Sequence, residues 1–168
     1  MLTTTTIFTS FVALTTALPA LNHPRAGGPS ILPIPSNCTI TNPSTAADTP
    51  SAFLPVASTS SARLYSAYYP SFTTNKTQMS AQCLQQCYGY GNHTQCKASF
   101  WAENVKVPPG YHDSPGGQLM TSCLLYNRTL TANDFESAPE GEGTDAYTRN
   151  LECPAPTTPS GGAQRRWA

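Results

Sequence analysis

The sequence has little charge of either sign. Asp, Glu, Lys and Arg make up 11% of the chain, and the formal net charge is zero. A neutral, charge-poor chain offers no electrostatic footprint for nucleic acid or for an anionic membrane surface. Long hydrophobic runs are also scarce. One uncharged stretch, Met1 to Ala20, holds Ile7, Phe8, Phe11, Val12, Ala13 and Leu14. It is too short and too rich in threonine for a membrane span. No apolar tail follows Cys153, so a C-terminal lipid anchor is not expected either. There is no G-x-S-x-G elbow, no internal repeat and no odd cysteine.

What is present points outward from the cell. The apolar stretch ends in small residues, Thr15-Thr16-Ala17 and Leu18-Pro19-Ala20. That is the pattern of a secretory signal peptide cleaved after Ala17 or Ala20. Four N-x-T sequons follow, at Asn37, Asn75, Asn92 and Asn127; Asn42-Pro43-Ser44 is excluded by its proline. All six cysteines lie beyond the cleavage site. An even number in a secreted chain predicts three disulfides, Cys38, Cys83, Cys87, Cys96, Cys123 and Cys153 being the partners.

With 16 prolines and 11 glycines, much of the chain should be loop around a thin core. The expected organisation is a signal peptide (1–20), an extended Pro/Gly-rich leader (21–37), one disulfide domain (38–153) and a disordered tail (154–168) carrying the dibasic pair Arg165-Arg166. Residues 41–62, rich in Ser, Thr, Ala and Pro, read as a flexible loop. Aromatics between Ala62 and Phe72 suggest a strand or hairpin. Ser80 is a suitable N-cap for a short helix, Ala81 to Tyr88, stopped by Gly89 and Gly91. Cys96 to Val105 and Leu119 to Leu125 read as apolar strands, with a loop at Val107 to Gly117 between them. Thr131 to Asp134 resembles a capped helical turn, and 136–148 reads as an acidic loop. The fold class is therefore α+β: a small disulfide-stapled antiparallel sheet curled around one short helix, with long loops.

Cys83 and Cys87, four apart, share one helix face. Their side chains run parallel and cannot join each other, which leaves twelve of the fifteen possible connectivities. Both should reach to neighbouring strands. A glycine-containing turn brings Cys96 back toward Cys87, which would leave Cys83 for the strand cysteine Cys123. The outermost pair, Cys38 and Cys153, would clamp the ends.

This order of cysteines resembles the apple-type PAN module. The likeness is carried by Ser80-Ala81-Gln82-Cys83-Leu84-Gln85-Gln86-Cys87, by Cys96-Lys97-Ala98-Ser99-Phe100-Trp101, and by Pro115-Gly116-Gly117-Gln118-Leu119 ahead of Cys123-Leu124-Leu125-Tyr126. The region from Tyr111 to Tyr126 is also similar to small secreted fungal proteins of this broad type. The resemblance spans about residues 38–153, and its specific part is 80–126. It implies the same nested pairing and a sheet curled around one helix. It implies binding of protein or carbohydrate, with no shared catalytic set.

Chemical alternatives are weak. His112-Asp113-Ser114 holds the residue types of a triad, but adjacent loop residues do not converge as a triad must. Zinc on Cys83 and Cys87 competes poorly with disulfide formation in an oxidising compartment. Asp134, Glu136, Glu140, Glu142 and Asp145 match no EF-hand spacing, nor do they form a recognisable glycosidase pair. No cofactor and no metal are expected. Tyr88, Tyr90, Trp101 and Tyr111 could make an aromatic binding platform, because such rings offer rigid area with a polar tip; Trp101, set in a strand, also suits the core. The resulting expectation is a secreted, extracellular, non-enzymatic module that binds protein or glycan at a cell wall or host surface. A structural or effector-like secreted protein is the alternative, and a hydrolase the weaker one.

Overall fold

The computed structural model describes residues 28–43 and 52–154. The expected signal peptide (1–20), residues 21–27 of the expected leader, residues 44–51 and those from 155 on, with Arg165-Arg166, lie outside the described residues.

The centre is a five-stranded antiparallel sheet. Its strands are β1 (Thr39–Thr41), β3 (Arg63–Tyr69), β4 (Ala98–Lys106), β5 (Leu119–Tyr126) and β7 (Thr144–Glu152), in the order β1-β7-β4-β5-β3. A second pair, β2 (Phe53–Pro55) with β6 (Phe135–Ser137), forms a small antiparallel ribbon. The main helix, α1, runs Lys76–Tyr88. The fold is thus α+β, with one main helix, antiparallel sheets and three disulfides.

β4 and β5 are covered on both faces, which is why they read as apolar runs rather than alternating ones. Trp101, Cys123, Leu125 and Leu151 pack toward α1, where Met79, Cys83, Leu84 and Cys87 meet them. Ala98, Phe100, Ala102, Leu124 and Tyr126 form a second core on the other face. The β2–β6 ribbon belongs to that second core: Phe53 meets Phe100 and Phe135 edge-on, at ring separations of 5.8 and 5.1 Å.

Three bridges nest within one another: Cys87–Cys96, Cys83–Cys123 and Cys38–Cys153, with sequence separations of 9, 40 and 115. No described cysteine is free. Cys123 faces Ala67 and Trp101 in the ladder, so the middle bridge fastens the helix over the middle of the sheet.

Several expectations need correction. The helix starts earlier than Ala81, and its cap is Asn75, whose Oδ1 accepts from the Gln78 amide at 3.0 Å. Met79 extends the buried face by one turn, while Ser80 sits within the helix and donates to the Thr77 carbonyl. Residues 41–62 are not simply loop: β2 lies there, followed by a 3-10 turn at Ala57–Ala62. Residues 136–148 are not simply an acidic loop, because β6 ends there and β7 begins. The capped turn does form at Ala132–Asp134, with Thr131 and Asp134 exchanging capping bonds.

Candidate functional site

The four platform residues are not brought together. Trp101 is 1% exposed, and its Nε1 donates to the Tyr69 hydroxyl at 3.1 Å under the helix. It is a core residue, excluded from any binding face, because its strand is buried on both sides.

The three tyrosines remain half-buried, and two of them, Tyr90 and Tyr111, contact β3, the edge strand of the sheet. Tyr90 donates its hydroxyl to the Leu64 carbonyl at 3.4 Å. Tyr111 accepts from the Tyr68 amide at 3.3 Å. Both hydroxyls thus hold backbone groups of the same strand, one toward each end. Tyr88 stacks on His93 with ring centroids 4.7 Å apart, and His93 Nδ1 lies 2.8 Å from the Tyr88 carbonyl oxygen. Tyr68 meets Tyr111 edge-on at 4.9 Å. The arrangement is a tyrosine-lined sheet edge. Edge strands present ladder groups that another chain can pair with, and here two of those groups are engaged by phenols. Tyr65 and Tyr68, which sequence reasoning left out of the platform, also lie on β3. Three residues apart, they fall on opposite faces of the strand: Tyr65 packs against the helix-side core and Tyr68 against the other.

The electrostatics are local. Burial raises the Tyr68 phenol above its ordinary pKa; Arg63 opposes that shift and Tyr111 adds to it. Burial likewise raises Tyr126. Its hydroxyl, with Arg63 Nε and Ser122 Oγ, is buried without a hydrogen bond of ordinary geometry; Arg63 and Thr59 are near enough to favour the ionised phenol, but desolvation outweighs them.

The acidic residues are dispersed rather than clustered. Asp134 is held by Arg128 through both guanidinium nitrogens, at 2.9 and 2.5 Å. Glu142 pairs with Lys106 at 2.6 Å, and Asp145 pairs with Lys76. Among the described residues no group of His, Cys, Asp or Glu is placed to hold a metal ion. Ser114 serves its own loop, donating to Gln118 Oε1 at 3.1 Å and accepting from the Gly116 amide. His112 and Asp113 are exposed, both with positive φ. Cys83 and Cys87 are committed to separate bridges and hold no thiolate for zinc. The sequon residues Asn37, Asn75, Asn92 and Asn127 all lie at the surface. No helix among the described residues is long and apolar enough to cross a membrane.

No family model, no curated protein and no solved structure matches the chain.

Proposed function

We propose that this chain is a secreted, N-glycosylated, non-enzymatic binding module of the PAN/apple type, taking an extracellular protein or glycan at a cell wall or host surface. The observation that carries the reading is the tyrosine-lined edge of β3, held rigid by nested cross-links. Half-buried tyrosines supply contact area at small entropic cost, since few torsions remain to be frozen. Bridges that fasten the helix to the sheet keep that edge from rearranging. Secretion is supported by the leader pattern, by the disulfides and by four surface sequons. The nested pairing with one helix across an antiparallel sheet supports the PAN-like reading.

The test is a glycan array together with pull-down from extracellular extracts, using the secreted protein and its Tyr90→Ala/Tyr111→Ala variant. A specific ligand whose binding falls roughly tenfold or more in the variant is expected. Retention of full binding by the variant would move the site elsewhere. Absence of any protein or glycan ligand would remove the binding role and leave a structural or effector-like one.

A further inference from the structure

The largest exposed apolar side chain on the sheet-to-helix connection is Phe72, 63% exposed, stacked nearly parallel on Tyr69 at 5.3 Å. Three residues on is Asn75, in the sequon Asn75-Lys76-Thr77. The two Cα atoms are at most about 10 Å apart on chain length alone, a gap that an asparagine side chain and one pyranose ring can bridge.

Asn75 is held for modification. Its Oδ1 caps the helix by accepting from the Gln78 amide, so Nδ2, the atom that carries an N-linked sugar, is not the capping atom. The segment between the two residues is pinned at both ends. Ser71 Oγ donates to Glu103 Oε1 at 2.6 Å and lies 3.0 Å from Thr121 Oγ1. The Asn75 amide donates to Thr73 Oγ1 at 3.1 Å. Lys76 pairs with Glu103 at 3.0 Å and also with Asp145. A ligand packing here therefore meets a loop that is already ordered.

Within three residues of the other sequon asparagines no aromatic ring is exposed, although the aliphatic Ile40 near Asn37 is. Ile34, three residues before Asn37, is an aliphatic half-buried side chain. Tyr90, two before Asn92, is half-buried and hydrogen-bonded to Leu64. Tyr126, next to Asn127, is fully buried.

We propose that the first N-acetylglucosamine linked to Asn75 packs its C–H face on the ring of Phe72 and clamps the 71–76 connection. The inference rests on the secreted, glycosylated reading above. In the modification itself a glycosyl pyrophosphate donor transfers its sugar. A bond forms between the anomeric carbon and Nδ2 as the anomeric C–O bond breaks; the pyrophosphate leaves with that electron pair, and the proton lost from Nδ2 goes to a base of the transferase. The electron-rich ring face then meets the weakly positive C–H groups of the sugar.

The experiment uses full-length protein secreted from a eukaryotic host, with glycans trimmed to one N-acetylglucosamine. Wild type, Phe72→Ala, Thr77→Ala and the double variant are compared by urea unfolding, with peptide mapping of Asn75. Thr77→Ala removes the sequon and leaves the Asn75 cap. Loss of the sugar is expected to lower the folding equilibrium constant roughly three- to tenfold when Phe72 is present, and not when it is Ala. Upfield-shifted sugar protons in wild type, returning to normal positions in Phe72→Ala, are expected alongside. Equal effects in both backgrounds, with Asn75 occupied, would overturn the packing and spare the glycoprotein reading. An unoccupied Asn75 in secreted protein would overturn both at this site. Retention of the chain inside the cell would refute secretion, and the proposal with it.

Discussion

Replacing Asp134 isolates the interaction that holds the link between β5 and β6. Asp134 is 9% exposed and accepts four bonds: two from Arg128, one from the Thr131 amide at 2.8 Å and one from the Thr131 hydroxyl at 3.1 Å. Asp134→Ala deletes the guanidinium clamp and the side-chain half of the capping box, while the backbone amide of residue 134 can still donate to the Thr131 side chain. A charge-assisted hydrogen bond contributes about 1.5–3 kcal/mol and a cap about 1 kcal/mol. Arg128 is itself 43% exposed, so solvent screens its share. The combined loss should be about 2–3 kcal/mol. Asp134→Asn keeps an acceptor for Thr131 but loses the charge, and should lose about 1 kcal/mol. Arg128 holds the Asp134 carboxyl well below the usual carboxylate range. In the unfolded chain the same group titrates near 4. A carboxylate depressed by folding stabilises the protein above the unfolded value, and that contribution fades as pH falls toward the folded one. The gap between wild type and Asp134→Asn should therefore be full at pH 7 and shrink below about pH 4. Urea unfolding with disulfides intact, followed by fluorescence at several pH values, measures both. An Asp134→Ala protein as stable as wild type at pH 7, or a gap that widens on acidification, would refute the reasoning.

Two further substitutions probe other parts of the frame. Ser122 is fully buried with an unbonded hydroxyl, so Ser122→Ala should be neutral or stabilising by up to about 1 kcal/mol in the same assay; a clear loss would show that the hydroxyl has a partner. A Cβ at Gly89 would come within 1.9 Å of the Ser30 carbonyl oxygen, although its φ of −73° suits any residue. Gly89→Ala should therefore cost about 1–3 kcal/mol and expose the Leu32 amide, which donates to Gln85, to hydrogen exchange; unchanged protection at Leu32 would mean that the leader does not rest on the helix end.

The parts of this fold legible in the sequence are those where local chemistry and burial agree. Cys83 and Cys87 announce a helix face that must reach elsewhere. The runs through Phe100-Trp101 and Cys123-Leu124-Leu125 announce strands covered on both sides. β7 was hidden because its buried side chains include polar ones whose partners are distant. Thr148 Oγ1 donates to the Ser99 carbonyl, and the Asn150 amide group bonds both the amide and the carbonyl of Leu130. Those bonds make polar residues tolerable in a core, and no sequence window contains both partners. β2 was masked by its Ser/Thr/Ala-rich surroundings, although Phe53 was a signal for it. At the tyrosine edge, residue type alone identified Tyr88, Tyr90 and Tyr111 as candidates. It did not show that two of them engage one strand, and it grouped Trp101 with them because burial depends on layers far apart in the chain.

Peptide mapping of the protein as its own cells produce it, digested without reduction after alkylation, tests the cross-linked frame most directly. Masses joining Cys38 to Cys153, Cys83 to Cys123 and Cys87 to Cys96, with no alkylated cysteine, are predicted. A Cys83–Cys87 link, or alkylated thiols at the helix cysteines, would contradict the architecture on which the proposed binding edge depends.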